Sequence, residues 1–86
     1  MNNDIYLIKW QDAAGGSNLG WRDLKDLKEL RTATVISCGI ILEDTEEFII
    51  VCPHIIIDDN KNITEGDAEL VIPRSWITEM KCIGEF

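Results

Sequence analysis

Histidine is nearly missing from this chain: His54 is the single one among 86 residues. A catalytic centre that moves protons through imidazole therefore has one place to be, directly after Pro53 at the end of an apolar run. Paired thiols are missing too. Cys38, Cys52 and Cys82 are widely spaced and form no Cys-x-x-Cys, the spacing on which zinc sites are usually built. The chain has no Walker loop, no Gly-x-Ser-x-Gly and no dinucleotide fingerprint. The carboxylates cluster in segments that read as turns, where they are solvated rather than paired in a pocket. These absences exclude the common enzyme architectures, and the expectation is a protein without turnover and without a cofactor.

Positive charge is also scarce. Eight Lys and Arg stand against sixteen Asp and Glu, a formal net charge of −8. Such a chain repels phosphate backbones and acidic lipid surfaces, which excludes a long nucleic-acid groove and a membrane-surface role. The longest apolar run, FIIVCPHIII over residues 48–57, is half of a membrane span and is interrupted by Pro53 and His54. The opening MNNDIYLIKW has neither the basic region nor the apolar core of a secretory signal. The expected location is cytoplasmic, with reduced cysteines.

What the chain does have is apolar and β-branched. A hydrophobic fraction of 45% excludes a disordered polymer, and 86 residues hold one domain, 1–86. Its recurrent Ile and Val favour strands. Residues 4–10 place Ile5 and Leu7 on one face and Tyr6, Ile8 and Trp10 on the other, so both faces are apolar and a partly buried strand is expected. QDAAGGSNLG follows as a loop. Over 21–31 the period changes: Trp21, Leu24, Leu27 and Leu30 recur every three residues between charged ones, which predicts a short amphipathic helix. At this length it needs a surface to dock on.

Strands are then expected at 32–42, 48–57, 68–73 and 77–83. Gly39 marks a bend in the first of them, and Pro53 marks the place where the second ends or lies at an edge. Glu43, Asp44, Thr45, Glu46 and Glu47 form an acidic hairpin tip, 58–67 a polar loop, and Arg74-Ser75-Trp76 a tight turn. The fold class is mainly β (α+β), with five short strands and one helix arranged as a small barrel.

The bent strand with its central Gly39, the acidic hairpin and the ending LVIPRSWITEMKCI (70–83) resemble the Sm-like fold over residues 21–83. The strand at 4–10 departs from that pattern, and none of the family's RNA-binding residues is carried over. The resemblance implies closure of the free strand edges by ring-like homo-oligomers. Trp10-Gln11-Asp12, Gly20-Trp21, Ser37-Cys38-Gly39 and Ile72-Pro73-Arg74 are also similar to motifs of a group of small phage proteins. That likeness implies an accessory phage protein acting in the host cytoplasm.

Four constellations are candidates for function. Arg74, Trp76 and Lys81 combine cations with an aromatic face, which suits an anionic nucleotide-type ligand captured to counter host defence, or a protein hot spot. Glu43, Asp44, Glu46 and Glu47 suit docking on a basic host partner. A hairpin centred on Thr45 sets Cys38 opposite Cys52 with His54 on the same face, a set that could hold zinc, although buried apolar cysteine is the better reading. Asp58, Asn60, Asn62, Thr64, Gly66 and Glu69 follow calcium-loop spacing, but Ile63 stands where that loop needs glycine, and a plain polar connection is preferred. Trp10 and Trp21 read as core. The expected partners are a second copy of the chain, and a small anionic ligand or a host protein.

Overall fold

The computed structural model describes residues 3–15 and 20–86. The chain is mainly β. Seven strands run β1 (Asp4–Asp12), β2 (Ala33–Asp44), β3 (Phe48–Cys52), β4 (His54–Ile57), β5 (Ile63–Asp67), β6 (Leu70–Pro73) and β7 (Ile77–Glu85). One helix, α1 (Leu24–Lys28), lies between β1 and β2, and a 3-10 turn (Arg74–Trp76) joins β6 to β7. Five strands form an antiparallel sheet in the order β6-β3-β2-β1-β7, while β4 and β5 form a separate two-stranded sheet.

The alternation in residues 4–10 puts β1 at the heart of the sheet. On one face Tyr6 lies across from Gly39, Ile8 from Ser37 and Trp10 from Val35. On its other edge β1 pairs β7, with Ile8 across from Met80 and Trp10 from Ile77. The core gathers on this face: Ile8, Ile49 and Ile72, from β1, β3 and β6, are fully buried, with Trp10 and Val51 beside them. Tyr6, Val35, Ile41, Ile77 and Met80 complete it. Each buried isoleucine contributes about 1.5–3 kcal/mol of transfer free energy. Trp10 keeps its indole N–H satisfied by donating to Ser37 Oγ at 3.1 Å.

β2 is the strand that organises the sheet. Its first part pairs with β1 as far as Gly39, and from Ile40 onward it pairs with β3. Gly39 is the corner, as its position in the apolar run suggests. A Cβ there would stand 2.5 Å from the carbonyl oxygen of Cys52, so only glycine lets the two strands meet. A second irregularity falls at Leu42, where the β2–β3 register shifts.

Several expectations need correction. The run 48–57 is not one strand: Pro53 divides it into β3 and β4, which belong to different sheets. Residues 58–67 are not a loop throughout, because Ile63–Asp67 pairs back on His54–Ile57 to make a hairpin arm. The strand expected from residue 68 starts at Leu70, since Ala68 takes a left-handed conformation (φ 62°) that interrupts extension. Helix α1 is one turn rather than 21–31, and none of its residues is buried. Asp23 precedes it without a side-chain cap. The sheet is not a closed barrel, because no ladder joins β6 to β7 among the described residues.

The molecule is long: 58 × 22 × 21 Å, with a radius of gyration of 17.0 Å. A compact chain of this size would have a radius near 12 Å. The helical excursion leaves the β1–β2 hairpin at its Asp12–Ala33 end. The β4–β5 arm leaves beyond its Gly39 end.

Candidate functional site

Arg74 is committed to the fold. Its guanidinium pairs with the Asp44 carboxylate, its Nε donates to the Thr45 carbonyl at 3.1 Å, and its backbone N–H donates to the Glu47 carbonyl at 2.9 Å. It fastens the 3-10 turn to the tip of the β2–β3 hairpin. That tip is shaped by Thr45, whose hydroxyl donates to the Phe48 carbonyl and accepts from the N–H groups of Glu47 and Phe48. Both ends of the Arg74–Asp44 pair are substantially solvated, so it contributes about 0–1 kcal/mol.

Trp76 stacks on Trp10, ring centroids 6.3 Å apart and planes 15° from parallel. It thereby caps the Trp10 end of the core and remains 42% exposed. Lys81 lies elsewhere. It pairs across from Leu7 on the face of β7 opposite to Met80 and Ile77, which face the core with Trp10. The sequence trio is thus divided: Arg74 and Trp76 share one turn, and Lys81 is on the other side of the sheet.

Glu43, Asp44, Glu46 and Glu47 all cluster at the exposed hairpin tip, as their positions suggest. Among the described residues, three of the four carboxylates have no cation in ion-pair range, while Asp44 is held by Arg74.

The cysteine–histidine arrangement is not formed. The hairpin turns through Thr45–Phe48, closed by the Asp44–Ile49 pair, and with the shift at Leu42 this puts Ile40, not Cys38, across from Cys52. Cys38 faces Leu7 and is exposed. Cys52 is fully buried beneath the arm, its thiol near the carbonyls of His54 (3.2 Å) and Asp67 (3.4 Å). The calcium spacing resolves into hairpin chemistry. The Asp58 carboxylate accepts from the backbone N–H groups of Asn60 (2.8 Å) and Asn62 (2.9 Å) and from the Asn62 side chain. The Asn62 N–H above all holds the Asp58 carboxyl below its ordinary range. Among the described residues, no three His, Cys, Asp or Glu side chains converge as metal ligands.

The feature that sequence reading missed is unpartnered apolar surface. Among the described residues, eleven large hydrophobic side chains are exposed, while the buried core holds six of that kind and Cys52. At the helical pole Trp21 is 104% exposed and Leu24 69%, with Leu30 nearby. At the arm pole Ile5, Ile40, Ile55, Ile57 and Phe86 line a groove of about 310 Å³ with Gly39 and Pro53 at its floor. The sequence signal for the helical pole was present, since an amphipathic stripe demands a surface; the described residues supply none. The arm gave no signal, because ITEGD has little strand character.

No helix of the described residues is long and apolar enough to cross a membrane. Comparison with known proteins assigns no relationship: no family model, no curated protein and no solved structure matches the chain.

Proposed function

We propose that the protein is a non-enzymatic assembly and binding module that works as a homo-oligomer. The observation that carries this reading is the set of exposed large apolar side chains, eleven among the described residues, spread over the sheet and including Trp21, Leu24 and Leu30 on the helical segment and Ile56 and Ile57 on the arm. Apolar surface of this extent marks interaction sites in soluble proteins. The outer edges of β6 and β7, which have no ladder among the described residues, offer further backbone donors and acceptors to a neighbouring chain. An Sm-like arrangement, short of barrel closure, is supported by the five-strand antiparallel sheet and by the 3-10 turn that links its two edge strands.

Capture of a small anionic ligand, in an accessory protein of a phage, is the finer form of this proposal. Trp76 supports it with a part-exposed ring on a rigid stack. The ties of Arg74 to Asp44 and Thr45 and the position of Lys81 on the opposite face weigh against it. Docking on a basic protein is supported by the free carboxylates of Glu43, Glu46 and Glu47.

Native mass spectrometry of the protein purified from expressing cells tests the reading. A homo-oligomer is expected, and any captured ligand would appear as added mass. A bare monomer at every concentration would overturn the assembly reading.

A further inference from the structure

The two poles of the molecule differ in charge as well as in place. The excursion 13–32 holds four of the eight cations, Arg22, Lys25, Lys28 and Arg31, against three acids, a net of +1. The arm 54–67 holds Asp58, Asp59, Glu65 and Asp67 against Lys61, a net of −3 with His54 neutral. Each pole also carries apolar surface that its own chain leaves open: Trp21 and Leu24 at one, the Ile55–Ile57 groove at the other. The six-residue span of ladder from the Asp12–Ala33 pair to the Tyr6–Gly39 pair separates them by about 20 Å at ~3.3 Å per residue.

We infer that the helical segment of one copy, through Trp21 and Leu24, docks in the apolar groove at the base of the β4–β5 arm of a second copy. The inference rests on the assembly reading and names the contact. Its logic is complementarity: an apolar ridge on a segment of net +1 meets an apolar groove at the base of an arm of net −3, and among the described residues neither is covered. The contact joins different surfaces of the two copies, so it is head-to-tail. It propagates to a ring if the rotation closes and to a filament if it does not. A one-turn helix without a cap gains its stability from the docking itself.

Two variants test this by light scattering after size-exclusion chromatography, with circular dichroism confirming the fold. Leu24→Asp spoils the ridge at a residue that is exposed in the protomer. Ile57→Lys spoils the groove and sets a cation against the basic segment; if it fails to fold, Phe86→Lys, also in the groove lining, replaces it. The wild type is expected to associate, and each variant alone to lose association by at least tenfold. Mixed together they are expected to form a pair that stops at one copy of each, because one retains a working groove and the other a working ridge. Added salt should weaken both wild-type association and the mixed pair. A monomeric wild type, including one whose helix folds back on its own groove, would overturn both this inference and the assembly reading. An associated wild type with an equally associated Leu24→Asp would overturn the inference alone and leave strand-edge pairing. Two monomeric variants that fail to rescue each other would also overturn it, since the contact would then be symmetric.

Discussion

Trp10 and Trp21 look alike in the sequence, each beside a run of apolar residues, yet one is 6% exposed and the other 104%. Trp10 has strands on both sides, a hydroxyl for its indole N–H and a second indole stacked on it. Trp21 has a one-turn helix and solvent. The difference is one of partnership. In the centre of the molecule each strand covers another, and local pattern, register and burial agree. At the poles the same kind of pattern is present, but among the described residues no second surface covers it.

The comparison can be broken first at the centre. Ile8→Ala or Ile49→Ala removes a fully buried side chain shared by several strands, and a loss of about 2–5 kcal/mol is expected in urea unfolding. In so small a domain that is most of the stability. Gly39→Ala should cost about 1–3 kcal/mol, because its methyl meets the Cys52 carbonyl and one of the two strands must move. A Gly39→Ala protein as stable as wild type would show that the β2 corner is not fixed by this approach. Trp76→Ala should cost about 0.5–1.5 kcal/mol beyond its lost area, through the stack on Trp10. Near-ultraviolet circular dichroism reports that stack directly.

Away from the buried core the effects on protomer stability shrink. Arg74→Ala should cost about 1 kcal/mol or less, since its ion pair is solvated. Asp58 supplies the smallest effect and a pH dependence. Its folded carboxyl titrates below the ordinary value, so its contribution is complete above about pH 4 and is lost as pH falls through the lowered folded value. The amide resonances of Asn60 and Asn62, followed from pH 6 downward, should move with a midpoint below the ordinary aspartate value. A midpoint at or above it would contradict the hydrogen-bonded hairpin tip.

Much of the centre was legible before any coordinates. The alternation Ile8–Trp10, the glycine corner, the break at Pro53, the acidic tip and the Arg74–Trp76 turn are local signals, and local chemistry fixes them. Register was not legible. The shift at Leu42 and the Thr45–Phe48 turn moved Cys52 away from Cys38, and one such shift dissolves a metal site that spacing had suggested. The arm was missed because polar ITEGD becomes a strand only through pairing with His54–Ile57. The three residues of the ligand trio are close in sequence, but Lys81 lies on the opposite face by the alternation of β7. The apolar stripe over 21–30 was read as the face of a docked helix, whereas only one helical turn forms and Trp21 and Leu24 stay exposed, because among the described residues no surface covers them.

The most direct test of this difference between centre and poles is amide hydrogen exchange, read by mass spectrometry at low and at high protein concentration. The β1–β2–β3 ladders should be protected equally in both samples. Residues 21–30 and 54–63 should exchange fast when dilute and become protected together when concentrated. Poles that exchange fast at every concentration, or that are protected already in the dilute monomer, would contradict the account.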